Sequence, residues 1–129
     1  MKRIFTLFIA LLAFGMSSSA LAQAVIKFDK TSHNFGTFQE ENPQTCVFTF
    51  TNTGDKPLVI QQAFSSCGCT VPEYTKTPIM PGKTGKLTVT YNGKGKFVGP
   101  FRKSVTIRSN ATNAMVRIYI EGTMENSKK

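Results

Sequence analysis

Two cysteines flank a single glycine in FSSCGCTVP (residues 64–72), and Cys67-Gly68-Cys69 are the residues whose type and spacing could do chemistry. Three readings are open. As thiolates the pair is a soft donor set that Gly68 lets converge, which suits Cu(I), an ion that accepts low coordination. Zn(II) asks for four ligands, and only Cys46, His33 or Met80 could supplement the pair. As a redox couple, the cysteines would close a disulfide across one residue. That places it near the edge of accessible Cα separations, hence strained and easily reduced. No basic residue lies within the motif to lower a thiol pKa. As structural residues, they are small side chains in a tight crossover between two sheets, with Thr70 and Pro72 fixing the chain. A lone C-x-C specifies little, so the structural reading comes first.

Other candidates are sparse. His33, in SHNFG, is the chain's single histidine, and a hydrogen-bonded structural role is its ordinary reading unless it lies beside the cysteine turn. Cys46 keeps phase with Phe48 and Phe50 and reads as a core thiol. Lys94, Lys96, Arg102 and Lys103 flank Gly93, Gly95 and Gly99, a patch for an anionic partner or a solvated loop. There is no G-x-S-x-G motif, and the adjacent acidic pair Glu40-Glu41 sits in a loop-like stretch. A hydrolase needs a base, an orienting group and an oxyanion donor that converge, so no enzyme is expected.

The elements that must position these residues are short and extended. TCVFTFT (residues 45–51) alternates cleanly, with Cys46, Phe48 and Phe50 on one face. Six further runs behave alike: VIKFD (25–29), HNFG (33–36), LVIQQA (58–63), KLTVTY (86–91), SVTIR (104–108) and VRIYI (116–120). Turn clusters separate them, notably NTGDKP (52–57), TPIMPGKTG (77–85) and SNATN (109–113). About seven strands in roughly a hundred residues predict an all-β, immunoglobulin-like antiparallel β-sandwich. With no tryptophan, its core must lean on phenylalanine.

Lys2 and Arg3 precede an uncharged run, Ile4 to Met16, and the small-residue stretch SSSALAQA. This predicts a signal peptide over residues 1–22, with Ala20-Leu21-Ala22 the first choice of cleavage site and Ala22-Gln23-Ala24 the second. The expected organisation is one sandwich over 23–123 and a flexible polar tail over 124–129, with no membrane span once the signal is removed. Removing Lys2 and Arg3 takes the formal charge from +9 to +7, read as solubility charge because no basic block exceeds two residues. Nucleic acid is not an expected partner of such an exported chain. Three cysteines leave at least one outside any intramolecular pair.

HNFGTF, FTFTNTGDKPLVI, SSCGCTVPEYTKTPIMPGKTGKLTVTY and FRKSVTIRSNA together resemble a bacterial family of exported domains, the domain-of-unknown-function family fifteen-seventy-three. The resemblance runs from about Ile26 to Gly122 and is most specific at S-x-C-G-C-T-x-P. It implies an immunoglobulin-like fold of the hydin and pilus-chaperone style. It also implies a Gram-negative, Bacteroides-type source and a periplasmic or surface location. The implied motif positions are His33, Phe35, Gly36, Asn52, Gly54, Cys67, Gly68, Cys69, Thr70, Pro72, Pro78, Pro81 and Gly82, with Cys46 particular to this chain. The expectation is a non-enzymatic envelope module binding another envelope protein or a glycan, with strand addition at a sheet edge a plausible mode. The alternative is a copper-binding or thiol-redox protein using Cys67, Cys69 and His33, with copper the cofactor that reading would imply.

Overall fold

The computed structural model describes residues 23–126; the expected signal peptide and the last residues of the expected tail lie outside them. Eight strands follow one another: β1 (Ile26–Phe28), β2 (Ser32–Gln39), β3 (Gln44–Asn52), β4 (Ile60–Phe64), β5 (Thr70–Tyr74), β6 (Thr84–Tyr91), β7 (Gly99–Ser109) and β8 (Met115–Glu125). They form two four-stranded sheets, ordered β1-β3-β6-β5 and β2-β8-β7-β4. Period-two alternation does the sorting. Cys46, Phe48 and Phe50 of β3 and Leu87, Val89 and Tyr91 of β6 point inward against Val105, Ile107, Ile118 and Ile120 of β7 and β8.

The immunoglobulin-like sandwich holds, with three departures from expectation. The eighth strand is β5, obscured in the sequence by Pro72, which an edge strand tolerates. The sheets are not wholly antiparallel, because the chain switches sheets after β1 and lays β2 parallel to β8. The domain also runs further than expected: β8 extends to Glu125, and Met124, expected in the tail, is only 1% exposed.

The end of the sandwich holding the β3–β4, β5–β6 and β7–β8 connections is locked by asparagine side chains. Asn52 is fully buried. Its Oδ1 accepts from the Val25 and Gly54 amides at 3.3 and 2.9 Å. Its Nδ2 donates to the Lys56 and Ile79 carbonyls at 2.6 and 2.9 Å. One side chain therefore ties the N-terminal segment, its own turn and the β5–β6 connection together. Gly54 is required because the N-terminal segment passes over it: a Cβ there would strike the Gln23 carbonyl and lie 2.7 Å from the Val25 nitrogen. Pro81 and Gly82 (φ 81°) form the middle of a type II turn closed by the Lys83 amide on the Met80 carbonyl at 2.9 Å.

The β7–β8 loop adds two clips. Asn113 exchanges hydrogen bonds with the Ile26 backbone, accepting at 3.2 Å and donating at 2.7 Å. Asn110 accepts from the Val59 amide at 2.8 Å and donates to the Pro57 carbonyl at 3.1 Å.

Replacing Asn52 by alanine strands three backbone groups, the Val25 and Gly54 amides and the Lys56 carbonyl, and opens a void; the Ile79 carbonyl keeps the Leu58 amide at 2.8 Å. Each buried unsatisfied group costs about 1–3 kcal/mol, so the midpoint of thermal unfolding is expected to fall by roughly 10 °C or more. Thermal unfolding followed by circular dichroism measures this, and a fall of less than about 3 °C would show that the amide is not the lock.

Candidate functional site

The opposite end gathers the β2–β3, β4–β5 and β6–β7 connections. The cysteine turn is the β4–β5 crossover, carrying the chain from one sheet to the other. Cys67 and Cys69 are joined by a disulfide, with Cα atoms 5.1 Å apart. That separation lies well inside the usual range, so the expected placement near its edge is corrected. The Thr70 amide donates to the Cys67 carbonyl at 3.1 Å, closing the turn. Cys69 is buried and Cys67 half-buried. A Cβ at Gly68 would meet nothing within 4 Å, and its φ is not positive, so neither space nor backbone angle demands glycine there.

Two clips join the turn to its neighbours. Ser65 Oγ donates to the Ser104 carbonyl of β7 at 2.8 Å and accepts from the Cys67 amide at 3.4 Å. The Cys69 carbonyl accepts from the Asn92 amide at 2.8 Å, where β6 gives way to the β6–β7 loop.

His33 does not join the cysteines. It stands on β2 in register with Ile120 of β8, itself in register with Lys103 of β7, while the cysteine turn lies beyond β4. Three strand spacings separate β2 from β4, about 14 Å. The imidazole instead packs edge-on to Phe35 at 4.9 Å, and its Nδ1 accepts from Lys30 Nζ at 2.9 Å. Burial, and after it the Lys30 ammonium, hold its pKa below the usual value. Cys46 faces the core, where burial pushes its thiol up to about 11. Among the described residues no three of His, Cys, Asp and Glu converge as a metal site.

The remaining motif positions divide between the ends. Asn52, Gly54, Pro81 and Gly82 serve the amide lock; Pro78 precedes Ile79, which bridges to Leu58. Phe35 and Gly36 (φ 74°) sit at the bulge of β2, where the Gly36 amide donates to Asn34 Oδ1 at 2.7 Å. Thr70 and Pro72 open β5.

Beside the cysteine turn, under the β6–β7 loop, lies an open cavity of about 550 Å³. Tyr91 and Phe101 stack at 4.1 Å on its floor, and Phe38 meets both rings edge-on. Lys96, Phe97, Arg102 and Lys103 line its walls. Phe97 is 99% exposed. The basic residues and glycines were legible in the sequence. The aromatic floor was not, because Tyr91 and Phe101 belong to different sheets, and Phe101 lies ahead of the strand read over residues 104–108.

The sheet edges are poorly suited to accepting a strand. On β5 the bonds of Cys69 and Thr75 to β6 turn the backbone of Thr70, Pro72 and Tyr74 outward. There the Thr70 amide is already used and Pro72 has none. On β1 Asn113 occupies Ile26. On β4 a bulge follows Ile60, and the Gln61 carbonyl accepts from the Tyr74 hydroxyl at 3.4 Å. β2 is broken by its bulge.

The two sheets, with a first strand divided between them, define an immunoglobulin-like sandwich of the PapD-like kind. This chain belongs to the family described as "Protein of unknown function (DUF1573)", which it matches over residues 26–124. Among solved structures it is similar to a protein of unknown function from Porphyromonas gingivalis W83, at a TM-score of 0.69 and 18% identity. The match covers 95% of this chain and 53% of that one, so the chain spans about half that protein's length. It is similar also to a PapD-like domain of human CEP192 (TM-score 0.68, 8% identity, 94% and 99% of the two chains). A third neighbour is the periplasmic chaperone SfaE (TM-score 0.55, 11% identity, 80% and 58%). These identities speak to fold alone. A search of curated proteins finds no match.

Purified without reductant and unfolded in denaturant, the chain is expected to show one free thiol, that of Cys46, and three after reduction. Before unfolding, Cys46 should react sluggishly with alkylating reagents, because it is buried and its thiolate scarce. Three thiols without reduction would contradict the disulfide. The lowered pKa of His33 sets a second expectation. The unfolded chain takes up the proton first as pH falls, so this stabilisation is whole above the ordinary histidine pKa and is lost as pH drops through it toward the folded value. The thermal midpoint should therefore fall between about pH 7.5 and pH 5.5 by more in the parent than in His33→Gln. Equal or reversed falls would contradict it.

Proposed function

We propose that this chain is an exported, non-enzymatic module of the bacterial cell envelope that binds a partner at its cysteine end. The observation carrying this reading is the gathering of the disulfide turn, the glycine-rich loop and an open cavity at one end. The chain's only imidazole stands about three strand spacings away. A reactive site would need a base near its nucleophile. Export is supported by the signal-like N-terminal residues and by the disulfide, which persists in oxidising compartments. The blunted edges turn the expected mode away from strand addition and toward the loops. Copper binding by Cys67 and Cys69 would first require reduction of their bond, since the thiolate is the ligand.

Expressed with its N-terminus intact in a Gram-negative host, the chain should appear in the periplasmic fraction with a mass beginning at Gln23. Recovery only in the cytoplasm at full mass would overturn the export reading. Titration with Cu(I) under a competing chelator should leave the oxidised protein empty. Tight binding that disappears in the Cys67→Ser/Cys69→Ser variant would replace the proposal with the copper reading.

A further inference from the structure

The cavity under the β6–β7 loop has the features of a built recognition site, and its chemistry selects a ligand class. Its volume falls within the range of about 300–1,000 Å³ typical of small-ligand pockets. The loop is held in one path. Gly95 and Gly99 take φ of 83° and 116°, the Lys96 amide closes a turn on the Gly93 carbonyl at 2.8 Å, and the Lys94 amide bonds Asn92 Oδ1 at 3.2 Å. A Cβ at Gly93 would come within 2.7 Å of the Tyr91 ring, so the loop must start close against the cavity floor.

A single exposed aromatic is ordinary on a protein surface. Phe97 differs because it shares its cavity with cations. Arg102 is engaged with Glu121 at 3.4 Å and lies over the Tyr119 ring at 4.1 Å. Lys96 and Lys103 have no carboxylate partner among the described residues. They present uncommitted positive charge beside an uncovered ring.

We propose that this cavity binds an acidic saccharide, with its carboxylate or phosphate drawn to Lys96 and Lys103 and the apolar face of a sugar ring laid on Phe97. The assignment rests on the reading of this end as the recognition end and names its ligand class. A flat anionic membrane fits less well. The same end carries Glu40 and Glu125, joined backbone to backbone at 2.9 Å, and Glu41 beside them, which would meet such a surface together with the lysines. An extended acidic peptide fits less well because the edges offer it little backbone pairing. The disulfide turn has a positioning role: its clips hold Asn92, where the loop begins, and Ser104, next to Lys103.

The test is an amide chemical-shift titration of the purified chain at low salt, with tetragalacturonate as probe and its neutral methyl ester as control. Saturable shifts centred on residues 91–103, absent or at least about tenfold weaker with the ester, are expected. Phe97→Ser, and separately Lys96→Gln/Lys103→Gln, should each weaken binding about tenfold or more while leaving the thermal midpoint near that of the parent, because Phe97 and Lys96 are exposed and the half-buried Lys103 has no ion pair among the described residues to lose. The Cys67→Ser/Cys69→Ser variant should bind more weakly, with the Asn92 and Ser104 amides displaced before ligand is added. No saturable shift by about 10 mM, or unchanged affinity in the Phe97 and lysine variants, overturns the proposal. So does equal binding of a polyglutamate peptide, or Phe97-dependent sedimentation with phosphatidylglycerol vesicles without saccharide binding. In those cases a periplasmic location would leave the binding-module reading standing, whereas a cytoplasmic one would remove both.

Discussion

A buried amide must find all its partners or cost more than it contributes, and Asn52 finds four. The sandwich depends on this satisfaction because three stretches distant in sequence end beside that side chain. β1 offers only three residues to pair with β3, too few to hold an N-terminal strand by itself. The bond from the Val25 amide to Asn52 and the two from Asn113 to Ile26 make up the deficit. Once β1 is fixed, the chain can cross to the other sheet and lay β2 along β8. That closes one side of the sandwich over Phe35 and Phe38. Aspartate could accept as Asn52 Oδ1 does but could not donate to two carbonyls, and a short hydroxyl could not reach both sides. The residue type follows from the bonding pattern.

The molecule consequently has two unlike ends. At the lock end, glycine, proline and asparagine are spent on backbone geometry, and the loops are tied to one another. At the cysteine end, the loops are tied to strands, which leaves their outer surfaces uncovered. Clefts over a rigid scaffold are the usual seat of recognition because the scaffold bears the ordering cost before a ligand arrives. The blunting of β1, β4, β5 and β2, by an asparagine clip, a proline and two bulges, is consistent with the same division, since it leaves the loops as the open surfaces.

What the sequence disclosed follows the range of each interaction. Alternation in TCVFTFT and KLTVTY is local and strong, so β3 and β6, with their inward faces, were legible residue by residue. Pro72 made β5 look like a connection, because a proline's effect depends on whether its missing N–H faces a partner, and that is a property of the sheet. Met124 looked like tail because only one apolar residue stood among polar neighbours, and the ring and glycine it packs beside, Tyr91 and Gly93, lie far away in the chain. For the candidate site, the cations and glycines of the β6–β7 loop were visible, whereas the stacking of Tyr91 on Phe101 arises only when the two sheets meet. The separation of His33 from Cys67 and Cys69 is of the same kind, fixed by strand order and not by spacing.

The role of the disulfide can be argued from magnitude. A bridge closing a loop of only three residues constrains the unfolded chain little, about 1.6 kcal/mol on the chain-entropy account. Burial of one phenylalanine contributes about 1.5–3 kcal/mol, and Phe48 and Phe50 are both essentially inaccessible. The bridge is therefore a minor support of the fold as a whole, and its effect is local. It holds the Cys69 carbonyl against Asn92 and keeps the Cys67 amide on Ser65, which in turn holds Ser104. A turn that was only a sheet crossover could meet its backbone needs with hydrogen bonds alone, as the β3–β4 crossover at the other end does through Asn52. Fixing the crossover covalently makes sense where the parts it clips, the base of the β6–β7 loop and the strand wall beside Lys103, must keep their spacing while something binds between them.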